Sequence, residues 1–186
     1  MRQLTSYFVV LPGRLSILPI AFMLQTLIAL TFLIIPVSGF AESLKAELTD
    51  FNGKAQTLES VTGKGKWSIV MFWAHDCHVC NKEAHSYVDF HQKHNQTDAE
   101  VIGVSLDGKT NKKQAVEFVK RHKLNFTNLI GEPDDVAGIF EDLTGADWVG
   151  TPTFLIYNPK GEIRAQQVGA VPVDLIESFI AKETGK

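Results

Sequence analysis

The stretch Trp67-Ser68-Ile69-Val70-Met71-Phe72-Trp73 is an apolar run of strand length interrupted by one hydroxyl. Such a run reads as a central strand buried on both faces, which requires other elements packed above and below it. Shortly after it the chain reaches Cys77-His78-Val79-Cys80, which holds its only two cysteines. Cys80 to His94 then runs without Gly or Pro, and Val79, Tyr87, Val88 and Phe90 give it a partly apolar side, so it reads as a helix. A doubly buried strand that delivers two thiols to the start of a helix restricts the chain to layered α/β architectures. It also makes dithiol–disulfide chemistry the first activity to consider.

The same alternation continues downstream. Val101 to Leu106 reads as a second buried strand ending at Asp107-Gly108, and Lys112 to His122 as an amphipathic helix with Ala115, Val116, Phe118 and Val119 as its apolar stripe. Phe126 to Ile130 is a short strand, and Asp134 to Leu143 a helix that opens with acids at its positive end. Thr153 to Tyr157 is a strand, Asn158-Pro159-Lys160-Gly161 a turn, Glu162 to Val168 the next strand, and Val173 to Lys182 a closing helix. Upstream, Leu44 to Leu58 alternates weakly around the turn signal Asn52-Gly53 and reads as a short hairpin or extended entry. Gly63-Lys64-Gly65-Lys66 is a surface turn. The resulting βαβαβαββα order predicts a mixed sheet: crossovers imply parallel strands, the terminal hairpin an antiparallel pair, and helices cover both faces.

The N-terminus sets the compartment. Leu15 to Val37 is 23 residues without a charge, long enough to span a bilayer at about 1.5 Å per residue. Arg2 and Arg14 precede it and hold the N-terminus in the cytoplasm. Gly39 and Ala41 fit the small-x-small pattern of a signal-peptidase site, and Pro36 breaks the helix before it. Residues 1–41 therefore read as a signal peptide, favoured by that site, or as a retained N-terminal membrane anchor, favoured by the length. Either way residues 42–186 form the functional domain and face a periplasmic or other extracytoplasmic space, where disulfides persist. That domain holds 16 basic and 21 acidic side chains, a net charge of −5, which argues against a nucleic-acid partner.

At the start of a helix, free backbone N–H groups and the helix dipole favour an anion, so Cys77 is expected to be the low-pKa nucleophile. Cys80 lies one turn deeper on the same face and can attack a mixed disulfide formed at Cys77. Two other readings of the pair stay open: a static disulfide, which would stabilise little because it closes a tiny loop, and a zinc or copper site completed by His75, His78 or His85. His78, as imidazolium, would stabilise the Cys77 thiolate, whereas Asp76 would oppose it. Glu83, one turn beyond Cys80, would relay protons if its face were buried, and otherwise reads as an ordinary surface glutamate. His91, His94 and His122 read as solvated. Pro152 stands directly before an apolar strand, where it cannot donate a ladder hydrogen bond, and nothing in the residues alone calls for a cis bond there.

Taken together, Phe72-Trp73-Ala74-x-x-Cys77-x-x-Cys80, Glu83, Val149-x-Thr151-Pro152-Thr153-Phe154-Leu155-Ile156 and Gly161 resemble the thioredoxin superfamily, and within it the TlpA/ResA-like branch of exported thiol–disulfide oxidoreductases. The resemblance covers about residues 44–183. It implies a thioredoxin-like fold with residues ~108–132 as an αβ insertion, a redox-active Cys77–Cys80 disulfide, a cis Pro152, and a Thr151 backbone that pairs with an extended substrate segment. It makes Glu83 a buried active-site acid. It further implies exported disulfide-containing partners, apocytochromes c among them, a membrane thiol as electron donor, and no cofactor or metal. The chain departs from the branch at Asp76, where Trp is common, at His78-Val79, where Pro often precedes the second cysteine, and at His85, where Pro is common. The dipeptide helps set redox poise, so these residues bear on the direction of electron flow. Two alternatives remain: a thiol peroxidase of peroxiredoxin-like type, for which the Pro-x-x-x-Thr-x-x-Cys pattern is absent, and a copper-binding chaperone using Cys77, Cys80 and a histidine.

Overall fold

A computed structural model describes residues 48–185. The reading of residues 1–41 as signal or anchor lies outside them; among the described residues no helix is long and apolar enough to cross a membrane. The elements are β1 (Leu48–Asp50), β2 (Ala55–Gln56), α1 (Leu58–Val61), β3 (Trp67–Trp73), α2 (His78–His94), β4 (Ala99–Ser105), α3 (Lys112–His122), β5 (Thr127–Ile130), α4 (Pro133–Thr144), β6 (Thr153–Tyr157), β7 (Ile163–Val168) and α5 (Val173–Thr184). The strands form one sheet in the order β2-β1-β5-β4-β3-β6-β7.

All seven residues of β3 are buried, as the unbroken apolar run requires. Its side chains alternate between two cores. Ile69, Met71 and Trp73 meet Cys80, Tyr87 and Phe90 of α2, Phe118 of α3 and Ile176 of α5. Val70 and Phe72 meet Leu58 of α1 and Val136 and Phe140 of α4 on the opposite face. Phe72 packs edge-on against both Phe140 (6.0 Å) and Trp148 (5.7 Å). Truncating such a ring costs about 3–5 kcal/mol, so this second core clamps α4 and the loop after it.

The expected hairpin is present. β1 and β2 pair antiparallel, and β1 pairs antiparallel with β5. Asp50 Oδ1 closes the turn by accepting from the backbone N–H groups of Asn52 (2.8 Å) and Lys54 (3.0 Å). The expected insertion is α3 with β5, placed between β4 and α4. Two features differ from the sequence reading. The short helix α1 was not expected; Thr57 and Ser60 form a reciprocal capping box that starts it. The helix α4 does not lead to a parallel strand: β6 runs antiparallel to β3. The loop 145–152 brings the chain back to the edge of the sheet where β5 ended, so β6 starts beside Phe72.

Register then decides what meets at that edge. Trp73 pairs with Ser105, Ser105 with Ile130, and Phe72 with Thr153. The carboxyl ends of β3, β4 and β5 and the start of β6 lie side by side. That is the edge of an open α/β sheet at which sites form.

Candidate redox active site

β3 leaves the sheet through a tight turn in which the Cys77 N–H donates to Ala74 O at 3.2 Å. Cys77 is the N-cap of α2, and its sulfur accepts from the Cys80 backbone N–H at 3.1 Å. The first turn of α2 holds no acidic residue. The positive end of the dipole therefore falls on the Cys77 sulfur, and a thiolate there would receive a charge-assisted bond. The two cysteines are joined as a disulfide. Cys77 is half-buried, whereas Cys80 is fully enclosed by the core of α2.

The remaining expected site residues fall around this pair unevenly. Asp76 and His78 are exposed and Val79 is half-buried. The Thr151–Pro152 peptide is cis. Pro152 is buried and Thr151 half-buried at the head of β6, and Pro152 O accepts from Gly169 N at 2.8 Å. The buried acid implied by the resemblance is not buried: Glu83 is half-exposed. The enclosed residues of α2 are Cys80, Ala84, Tyr87 and Phe90, and Glu83 sits at the rim of that stripe one turn before Tyr87. Burial pushes the Tyr87 phenol well up, with Glu83 adding to the shift. The Tyr87 hydroxyl donates to Val171 O at 2.7 Å and fixes the segment that follows β7.

The histidines named as metal ligands are not assembled. His78 and His85 are exposed, and the His75 ring is engaged by Asp107. Among the described residues no group of three or more His, Cys, Asp or Glu is placed to hold a metal. The expectation that His91, His94 and His122 are solvated is corrected. His91 Nδ1 accepts from Val101 N at 3.0 Å, and burial holds that ring below the usual range. His94 lies between Asp98 and Glu177. His122 donates to Asn81 Oδ1 at 3.0 Å and is held down by burial, then by Arg121 and His85.

Sequence reasoning missed Asn81, Ser105 and Asp107. The Asn81 amide donates to His75 O (3.0 Å) and Cys77 O (2.9 Å), while its oxygen accepts from Arg121 Nη2 at 2.9 Å. Asp107 is buried at the end of β4 and receives bonds from His75 and Ser105. The only local signal was an acid at the point where a buried strand stops.

A disulfide that caps a helix at the carboxyl edge of a mixed sheet, with a cis-proline at that same edge, defines a protein of the thiol–disulfide exchange class on a thioredoxin-like fold. The chain belongs to the AhpC/TSA family, whose model matches residues 41–166. Among curated relatives it is 26% identical over 121 residues to sporulation thiol-disulfide oxidoreductase A of Bacillus subtilis, covering 64% of this chain and 70% of that protein. It is 28% identical over 117 residues to the thiol-disulfide oxidoreductase ResA of Oceanobacillus iheyensis, covering 63% and 57%. It is also 36% identical over 102 residues to a chloroplastic putative peroxiredoxin Q of Oryza sativa, covering 53% and 45%. Of solved structures, a thioredoxin domain of a thiol-disulfide oxidoreductase from Bacteroides vulgatus superposes with TM-score 0.59 at 22% identity, covering 72% of this chain and 91% of that one. A thiol:disulfide interchange protein from a Bacteroides species gives TM-score 0.60 at 23% identity, covering 74% and 84%.

Proposed function

We propose that this protein is an exported thiol–disulfide oxidoreductase that reduces disulfides in exported proteins. The observation that carries the reading is the asymmetry of the pair: Cys77 is half-buried at the helix cap, and Cys80 is enclosed behind it. The Cys77 thiolate attacks a substrate disulfide, forming one S–S bond and expelling one substrate thiolate. Cys80 then attacks the Cys77 sulfur, releases the second substrate thiolate and closes the Cys77–Cys80 disulfide, so two electrons pass to the substrate. Thr151 and Pro152 shape the groove that receives the substrate segment, and Glu83 handles protons from the rim. Asp76, His78 and Val79 tune the couple. A membrane thiol donor restores the dithiol, and apocytochromes c are among the substrates proposed. Residues 1–41 carry the domain 42–186 across the membrane, either cleaved or as an anchor; N-terminal sequencing of the mature protein decides between the two.

The reading is tested with two variants. Cys77→Ser should abolish dithiol-dependent reduction of a protein disulfide, and full retention would sink the assignment. Cys80→Ser should accumulate mixed disulfides with partners on a trapping gel. A second reading, thiol peroxidase, is favoured by the likeness to peroxiredoxin Q. There the Cys77 thiolate would cleave the peroxide O–O bond, form a sulfenic acid, and lose water on condensing with Cys80. Val70 and Ala74 stand where the Pro and Thr of that pattern would precede Cys77, which speaks against it. Peroxide consumption with no protein disulfide substrate would reverse the preference.

A further inference from the structure

Among the described residues the exchange chemistry leaves a buried carboxylate unused. The Asp107 side chain is 2% exposed. Its two carboxylate oxygens accept from the His75 backbone N–H at 3.2 and 3.1 Å, and Oδ2 also accepts from the Ser105 hydroxyl at 2.7 Å. The His75 ring meets it through Nδ1, 2.5 Å from Oδ1. An ionised carboxylate can only accept, so Nδ1 carries the proton of that contact and Nε2 is the nitrogen left open. The His75 side chain is 26% exposed, so the ring reaches solvent while its other edge is held.

His75 shares a turn with the nucleophile. Residues 74–77 are closed by the Cys77 N–H to Ala74 O bond, so His75 lies inside the turn that ends at Cys77. Asn81 braces it from the helix side through the carbonyls of His75 and Cys77. An imidazole oriented by a buried carboxylate and carried on the same turn as a sulfur nucleophile supplies two of the parts that activate thiols and hydroxyls on unrelated folds. The other charged or titratable groups around it are Asp76 and His78 on the same segment and, across Asn81, Arg121 and His122 of α3.

We propose, building on the exchange reading above, that His75 takes the proton from the Cys77 thiol and returns it to the departing substrate sulfur, with Asp107 as the residue that positions it. The S–H proton moves to Nε2 and leaves a thiolate–imidazolium pair. The thiolate forms the new S–S bond, and the imidazolium protonates the sulfur expelled from the substrate disulfide. The ring ends neutral, and the electron count is that of the exchange itself.

The test is the pH profile of Cys77 alkylation by iodoacetamide in the reduced protein, which reads the thiolate whatever the substrate. His75→Asn retains an N–H for Asp107 and removes the ring nitrogen that would take the proton. It should cut the alkylation rate at neutral pH about tenfold or more and move the rise of the profile to higher pH, leaving only the lowering that the helix cap supplies. Asp107→Asn should move the profile in the same direction by less. If the Asp107 variant does not fold, as judged by near-ultraviolet circular dichroism, the half-exposed His75 variant decides alone. A His75→Asn profile that superimposes on the parent overturns the proposal. Failure of the parent protein to reduce any disulfide, with the alkylation difference intact, overturns the exchange reading instead.

Discussion

Trp73 ends the central strand, and the packing around it depends on a side chain that is absent. A Cβ at Gly103 would collide with Asn128 Oδ1 and approach Trp73 Nε1 to 2.8 Å. Trp73 Nε1 donates to that same oxygen at 3.2 Å, and its ring stacks on Phe118 of α3 at 4.4 Å. Gly103→Ala must therefore displace Asn128 and strip a buried indole of its acceptor. The expected loss is about 1–3 kcal/mol, read as a lower urea midpoint at unchanged slope; an unchanged midpoint would refute the account. At this scale the cysteines and the proline were legible because each residue type brings its own chemistry. Asp107, Ser105 and Asn81 were not. Asp107 and His75 are 32 positions apart, and their meeting depends on the Trp73–Ser105 register, which no local pattern encodes. For Glu83 the residues alone left burial open, since a helix position predicts a face and not how far the covering layer extends; the burial that the resemblance implied is not seen, the side chain being half-exposed.

The long helices and buried strands were readable from periodicity, and their observed limits differ from the expected ones by two residues or fewer. The direction of β6 was not readable, because a helix followed by a loop can return the chain to either end of the sheet. Nor was the docking of α5 on α2. There Glu177 Oε1 accepts from Lys93 Nζ at 2.8 Å and from His94 Nε2 at 3.1 Å. These two bonds, Lys93 first, hold the Glu177 carboxyl below its usual range despite some desolvation. A carboxyl depressed in the folded state adds stability that is fully present above the unfolded value near ~4.3 and is lost as pH falls through the folded one. Glu177→Gln keeps the shape and removes the charge. The variant should be less stable than the parent at neutral pH, and the gap should close in acid below about pH 4. Parallel stability curves over the whole range would show that the contact carries no charge-dependent stability.

On the scale of the whole molecule, register brings the cysteine pair, Asp107 and the cis-proline to one sheet edge, and the direction of electron flow becomes a property of the entire fold. A disulfide that stabilises the native state belongs to a reductant, and one that destabilises it to an oxidant, since the potentials of the folded and unfolded couples are linked to the two stabilities. The helix cap favours the reduced form, because a Cys77 thiolate accepts from the Cys80 N–H more strongly than a disulfide sulfur does. Asp76, adjacent and negative, works against that thiolate. Asp76 and His78 are both exposed, so water weakens the opposition of the one and the support of the other alike. The proposed reducing role requires the balance to leave the couple near thioredoxin's ~−270 mV and far below the ~−120 mV of a strong oxidant. Equilibration of the Cys77–Cys80 couple with glutathione measures that value directly. Denaturant unfolding of the oxidised and reduced forms measures it a second time, because each ~30 mV by which the folded couple lies below the unfolded one equals about 1.4 kcal/mol of extra stability in the disulfide form. The oxidised protein should be the more stable of the two, and Asp76→Asn should narrow the difference by favouring the thiolate. A reduced form more stable by several kcal/mol, with a potential near the oxidant value, would reverse the direction assigned to the reaction while leaving the roles of Cys77 and Cys80 as they are.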